Sequence, residues 1–144
     1  MGYPHTGSRF SVTIDDIDMQ GNFSSVSGLS AELEFEEYAE GGNFDSPIYL
    51  PKGVKYSNIV LQRGTVTDEP LSKWFAAVQS GVFKKYPMTV TMMDSAGKAV
   101  RIWTVKDAMP VKVEYSQFDA MSSDVAITTI EMVHGAVTDE TVTK

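Results

Sequence analysis

Cysteine is absent from this sequence of 144 residues, and histidine occurs only as His5 and His134. The lack of cysteine excludes a disulfide scaffold, a thiolate zinc site and a cysteine nucleophile. No apolar run exceeds five residues, whereas a membrane-spanning helix needs about 20. The first ten residues also lack the apolar core of a conventional signal peptide. We therefore expect a chain that is made without an export signal and does not itself insert into a membrane.

Basic residues are scarce in the first third of the chain. Residues 1–47 carry nine Asp and Glu against Arg9 alone, whereas residues 48–144 carry ten acidic and eleven basic groups. Residues 1–47 therefore carry a net charge of -8 and residues 48–144 a net charge of +1, which together give the -7 of the chain. Because nonspecific nucleic-acid binding depends on Lys and Arg side chains that neutralise phosphates, this distribution disfavours a conventional DNA- or RNA-binding module.

Alternation of apolar and polar residues dominates the chain and predicts β-strands. This pattern is found at residues 9–15, 29–36, 56–66, 88–94, 99–106, 111–115 and 125–133. Residues 15–22 are predicted to form a turn, Gly28 a bulge or bend, and residues 136–144 a flexible C-terminal tail. We expect a single mainly β domain over residues 1–144, a small barrel or sandwich of about seven strands with one flanking helix.

The helix is predicted by an apolar stripe with spacings i, i+3, i+4 and i+7. Thr67 stands at the cap position before it, and Gly81 is a plausible stop after it. We expect the stripe to face the sheet of its own subunit as part of the core. Its members are Leu71, Trp74, Phe75 and Val78.

Two segments suggest a surface made for other protein. In residues 29–36 the apolar side chains Leu29, Ala31, Leu33 and Phe35 alternate with polar ones, which predicts a half-buried strand with an acidic outer face. That acidic face carries Glu32, Glu34 and Glu36. Residues 41–55 form a Gly- and Pro-containing loop or irregular hairpin, whose apolar content is too high for an idle solvent loop. Its large apolar residues are Phe44, Ile48, Tyr49 and Leu50.

Chemistry-bearing patterns are weak. Glu131 and His134 have the spacing of a helical metal pair, but they lie in a predicted strand, where residues i and i+3 point to opposite faces. A solvated or hydrogen-bonded structural histidine is the better interpretation. Residues 16–21 resemble the start of a calcium loop, yet position twelve, which needs a bidentate Glu, is Ser27. We therefore expect no catalytic centre, no metal site and no cofactor, and so no enzyme.

The order of several motifs resembles the tail tube proteins of contractile phage tails and related bacterial contractile injection systems. The similarity extends over about residues 9–135. It includes F-x-V-x-I from Phe10, F-S-S-V-S-G-L at residues 23–29, E-Y-A-E-G-G at residues 37–42 and L-P-K-G-V-K-Y-S-N-I-V-L-Q-R-G at residues 50–64. W-T-V-K-D-A-M-P-V-K at residues 103–112 and I-E-M-V-H-G at residues 130–135 complete the series.

This resemblance implies a structural protein rather than an enzyme. Members of the family form hexameric rings that stack into a tube inside a contractile sheath, with strands of six subunits lining the lumen. The implied partners are other copies of the chain, the sheath protein, baseplate and tail-terminator proteins, and DNA or protein cargo that passes without specific binding. The implied setting is synthesis in the bacterial cytoplasm and assembly into a phage tail or injection particle. A monomeric or low-oligomer β-sandwich binding module, of carbohydrate or adhesin type, is the alternative.

The two surface segments have expected roles in such a tube. The resemblance implies that the segment matching residues 41–55 reaches toward neighbouring subunits, so Phe44, Ile48, Tyr49 and Leu50 are expected at interfaces between subunits and rings. The charge asymmetry and the alternation of the strand, if that strand joins the lumen sheet, predict that Glu32, Glu34 and Glu36 face the lumen, with an outer acidic face toward the sheath as the alternative. An acidic wall would repel DNA phosphates and let the cargo slide.

Overall fold

The computed structural model describes residues 9–38, 48–117 and 124–141. Within these ranges the chain forms nine strands, one short 3₁₀ helix and one α-helix. In chain order they are β1 (Arg9–Ile14), the 3₁₀ helix (Asp15–Ile17), β2 (Met19–Ser27), β3 (Ala31–Tyr38), β4 (Ile48–Tyr56), β5 (Ile59–Thr67), α1 (Asp68–Gln79), β6 (Tyr86–Met93), β7 (Ala99–Gln117), β8 (Asp124–Val133) and β9 (Ala136–Thr141).

Six of the strands close into an antiparallel barrel. They are ordered β6-β1-β2-β5-β8-β7, and pairing between β6 and β7 closes the circle. Closure removes the free edges that an open sheet of these strands would expose. The predicted class, a small mainly β barrel with one flanking helix, is confirmed.

The barrel core follows from the alternation in the sequence. Val12 and Ile14 of β1 and Ile59 and Leu61 of β5 are fully buried, while the residues between them are less buried. Because successive side chains of a strand point to opposite faces, each strand contributes every second residue to the interior. The other buried apolar residues are Met19, Phe23, Val66, Leu71, Trp74, Met88, Val90, Trp103, Val105, Ala108, Val125, Ile127, Ile130 and Met132.

The helix α1 lies against the barrel through part of its apolar stripe. Leu71 and Trp74 are buried, Val78 is partly buried and packs against the core, and Phe75 is partly buried. Within the described residues, no helix is long and apolar enough to cross a membrane.

Two local details of the sequence analysis need correction. Thr67 occupies the cap position, but its hydroxyl makes no capping bond. Its Oγ1 instead donates to the Gln20 carbonyl at 3.0 Å and accepts from the Gln20 N–H at 3.3 Å, so it joins the helix start to β2. The predicted turn over residues 15–22 is shorter, because the left-handed backbone of Asp18 (φ 54°) ends the 3₁₀ helix and β2 begins at Met19.

The tail expected to be flexible over residues 136–144 is instead a strand up to Thr141. This strand, β9, pairs with β7 from Lys106 back to Arg101. Two hydrogen bonds of 3.0 Å join the Arg101 guanidinium to the Asp139 carboxylate across the pair. The segment is polar and was therefore not predicted as a strand, because its backbone hydrogen bonds are made with residues 101–106, far away along the chain. Residues 142–144 lie outside the described part of the chain.

Candidate functional site

The most unusual feature of the fold is the hairpin formed by β3 and β4, which is a two-stranded sheet of its own. Its register continues that of the barrel strands β2 and β5: Ser27 pairs with Val60 in the barrel, and Ala31 pairs with Tyr56 in the hairpin. The same number of residues therefore separates the two pairs on both strands. The hairpin is a direct extension of the β2–β5 ribbon beyond the barrel.

The hairpin has two chemically different faces. Residues directly opposite each other in an antiparallel pair share a face, so Glu32 shares one with Lys55, and Leu33 shares the other with Val54. On β3 the first face continues with Glu34 and Glu36, and the second with Phe35. A register shift between Glu34 and Phe35 interrupts the ladder near its middle.

Both faces are exposed in the single subunit. Leu33 is 60% exposed, Phe35 52% and Val54 52%, and the three glutamates of the opposite face are exposed as well. The expectation of a half-buried strand is therefore wrong for the isolated chain. Alternation correctly sorted the side chains onto two faces, but the layer that would bury the apolar face is not supplied by the barrel of the same chain. Such a cluster of exposed large apolar groups is typical of a protein–protein contact.

The structure describes the backbone position of three of the four predicted interface residues. Ile48, Tyr49 and Leu50 lie in β4, where their register partners are Tyr38, Glu37 and Glu36. Residues 48–55 are thus a strand of a hairpin, the second of the two conformations that the sequence left open. Phe44 lies outside the described residues.

The junction between hairpin and barrel contains the residues that the sequence analysis considered as a metal pair. His134 and Glu131 make separate contacts there: the His134 Nε2 lies 2.8 Å from the Ser57 carbonyl oxygen, and the Glu131 Oε2 accepts a 2.8 Å hydrogen bond from the Asn58 amide. Among the described residues, no group of three or more His, Asp and Glu side chains is arranged to hold a metal ion. Sequence reasoning missed this junction, because the contacts join residues more than 70 positions apart.

A cleft of about 540 Å³ lies between α1, the 3₁₀ helix and the start of β6. Its walls include Trp74 and Tyr86, and its rim carries Asp18, Lys73 and Lys84. No histidine lines it, so within the described residues it offers no imidazole base to activate a hydroxyl nucleophile.

Comparison with known proteins identifies relatives over almost the full length. The family described as T4-like virus tail tube protein gp19 matches residues 6–138. A search of curated proteins found no significant match.

Solved structures give the same picture. A chain of the cryo-EM structure of the anti-feeding prophage baseplate, six-fold symmetrised, is 25% identical with a TM-score of 0.70, over 98% of both chains. A chain of the sheath–tube complex of the extracellular contractile injection system PVC, in the extended state, is 27% identical with a TM-score of 0.69, over 98% of this chain and 93% of that one. Hcp1 from Salmonella typhimurium, 16% identical with a TM-score of 0.56 over 95% and 88% of the two chains, shares the fold.

Proposed function

Because the chain belongs to the family of the T4-like virus tail tube protein gp19, we propose that it is a structural subunit of the inner tube of a contractile tail or injection system. The observation that carries this proposal is the family match over residues 6–138. The similarity to a chain of the PVC sheath–tube complex, at 27% identity and over 98% of this chain, supports it. The role is mechanical, and the barrel supplies the rigid unit that it requires.

Copies of the chain form hexameric rings that stack into a tube around a central channel. The similarity to a chain of the six-fold symmetrised baseplate supports six copies in a ring. Head-to-tail contact between rings repeats one interface without closing, which generates an open filament. The ring and the filament both require surfaces on the subunit that are complementary to another copy.

The apolar face of the β3–β4 hairpin is the surface that we assign to contact with another copy. Leu33, Phe35 and Val54 are all more than half exposed in the isolated subunit. Burying a fully exposed side chain of this kind contributes roughly 1.5–3 kcal/mol; these three are little more than half exposed, so each would contribute about half of that at every copy in a tube. A second copy is the occupant that a self-assembling family implies. Ile48, Tyr49 and Leu50 belong to strand β4 of the same hairpin, and we place them, together with Phe44, in the interfaces between subunits and rings.

The acidic face of the hairpin then points toward the channel. Once a neighbouring copy covers the apolar face, the opposite face with Glu32, Glu34 and Glu36 remains available to line the lumen. Six copies in each ring would repeat these carboxylates around the wall. Such a wall repels nucleic-acid phosphates and presents few apolar groups, so DNA or protein cargo passes without specific binding.

The outer partners follow from the assemblies in which related chains occur. One relative belongs to a sheath–tube complex and others to a baseplate and a tube-terminating cap. We accordingly propose a contractile sheath, a baseplate and a terminator as partners of the tube, and assembly into a phage tail or injection particle after synthesis in the bacterial cytoplasm.

The proposal is tested by assembly of the purified full chain, observed by negative-stain microscopy and analytical ultracentrifugation. The wild-type chain should form rings or tubes. The double variant Leu33→Ser and Val54→Ser should remain monomeric, and its far-UV circular dichroism should match that of the unassembled wild-type chain because both positions are exposed. The variant Ser30→Ala, an exposed position just before β3, is the control and should assemble normally.

A wild-type chain that stays monomeric at high concentration would contradict the tube assignment and favour a binding module. Normal tubes from the double variant would instead contradict the role of the hairpin face. A cryo-EM reconstruction of the tubes tests the lumen assignment. The carboxylates of Glu32, Glu34 and Glu36 should face the channel, and finding them on the outer surface would refute that assignment while leaving the tube intact.

A further inference from the structure

The hairpin is attached to the barrel at one narrow corner. On one side the chain passes from β2 to β3 through residues 28–30, and on the other it passes from β4 to β5 through Ser57 and Asn58. These residues belong to no strand. We refer to the β3–β4 hairpin as the arm and to these two links as its corner. An arm held only by such links changes its angle to the barrel unless other contacts hold the corner.

One such contact comes from His134, which follows β8. Its Nε2 is 2.8 Å from the Ser57 carbonyl oxygen, and its ring packs edge-on against Tyr56 with the centroids 5.5 Å apart. Since a carbonyl oxygen only accepts hydrogen bonds, the ring must carry its proton on Nε2. The other nitrogen, Nδ1, is buried and has no hydrogen-bond partner among the described residues. The hydrogen bonding that this ring makes is therefore directed at the corner of the hairpin.

The position of His134 is itself held by the barrel. The next residue, Gly135, donates its N–H to the Lys106 carbonyl oxygen of β7 at 2.8 Å. Before it, Met132 pairs with Ile59 in the β5–β8 ladder. These backbone contacts fix His134 to the barrel, while its ring contacts Tyr56 and Ser57 at the end of the arm.

The two links of the arm also lie very close to each other at this corner. A Cβ atom at Gly28, whose φ is 87°, would lie 2.1 Å from the Asn58 carbonyl oxygen. The Asn58 side chain donates to the Glu131 carboxylate at 2.8 Å. Gly28 of one link therefore lies close against Asn58 of the other, and the Asn58 side chain is hydrogen-bonded to Glu131 of β8.

We propose that His134 is a positioning residue that sets the angle between the β3–β4 hairpin and the barrel, through its Nε2–H bond to the Ser57 carbonyl. The importance of that angle rests on the proposed function, in which the hairpin must meet a second copy. The angle itself is a property of the single chain, and it can be measured without any assembly.

The absence of cysteine makes the measurement direct. Two cysteines are introduced at exposed positions, Glu34→Cys on the hairpin and Thr104→Cys on the barrel, and both are spin-labelled in the full chain. The labelled chain is kept below the concentration at which it assembles, so that pulsed dipolar spectroscopy reports only distances within one molecule. With His134 present, we expect a single narrow distance distribution.

Three variants separate the contributions of the ring. His134→Ala removes the bond and the ring contact, and should shift and broaden the distribution. His134→Phe keeps a ring beside Tyr56 but has no N–H donor, and it should also broaden the distribution. His134→Gln retains a side-chain N–H and should lie closer to the wild type. An unchanged distribution in His134→Ala or His134→Phe would overturn the proposal.

A second measurement needs no variant. Long-range ¹H–¹⁵N spectra of the wild-type chain, below its assembly concentration, should show the Nε2–H tautomer of His134, and the Nδ1–H tautomer would refute the bond to Ser57. Near-UV circular dichroism verifies that each variant keeps the barrel folded. Tube assembly is scored separately. A broadened distance distribution in a His134 variant that also loses the tubes formed by the wild type supports both proposals. A broadened distribution when the wild-type chain itself never forms tubes supports only the positioning role.

Discussion

The removal of Trp74 should be the most damaging single change to the helix. Trp74 is only 4% exposed, and its indole N–H donates to the Lys84 carbonyl oxygen at 2.8 Å. Its ring also meets Tyr86 edge-on, with the centroids 5.2 Å apart. The side chain therefore holds α1 and the start of β6 together, and Trp74→Ala removes all of these contacts at once.

The expected loss can be estimated from these contacts. Truncating a buried aromatic side chain to Ala lowers the free energy of unfolding by about 3–5 kcal/mol. Trp74→Phe keeps most of the apolar contact but removes the donor to Lys84, and losing a partner of this kind costs about 1–3 kcal/mol. Because a domain of this kind has a total stability of about 5–15 kcal/mol, Trp74→Ala should remove at least about a fifth of it and clearly lower the urea midpoint.

Urea denaturation of the unassembled chain, followed by far-UV circular dichroism, measures both losses. The matched control is Lys73→Ala on the same helix, where the ammonium pairs with Glu69 at 3.0 Å and both side chains are 76% exposed. An exposed pair of this kind contributes about 0–1 kcal/mol, so the control should unfold close to the wild type. A loss below about 0.5 kcal/mol for Trp74→Ala, in the range of ordinary surface changes, would refute the placement of this side chain in the core.

Two further changes test the corner of the hairpin and the last strand. Gly28→Ala should lower the thermal midpoint of unfolding more than Gly97→Ala does. Both glycines have a positive φ, but only at Gly28 would a Cβ atom meet the Asn58 carbonyl oxygen. Equal effects of the two substitutions would contradict this close approach. Asp139→Ala removes the bidentate pair with Arg101, whose side chains are 45% exposed, so global stability should fall by only about 0.2–1 kcal/mol. Amide hydrogen exchange in residues 136–141 should nevertheless accelerate relative to a Glu140→Ala control, and unchanged protection would show that the backbone pairing alone holds β9.

The sequence by itself determined the class of the fold and the inner face of its main strands. Alternation at Val12 and Ile14, or at Ile59 and Leu61, is a local signal, because the pleat of a strand sends every second side chain to the same face. The spacing of Leu71 and Trp74 is a local signal of the same kind for a helix. The order of motifs was also sufficient to indicate the family, which the match over residues 6–138 confirms.

The tertiary structure alone decided what each face meets. Periodicity placed Leu33 and Phe35 on one side of β3, but it carries no information on whether the same chain supplies a layer to cover them, and the subunit leaves them more than half exposed. The strand β9 and the contact of His134 with Ser57 depend on partners at least 30 residues away along the chain. Such contacts join segments that are distant along the chain and adjacent only in the folded barrel, so no short-range pattern in the sequence marks them.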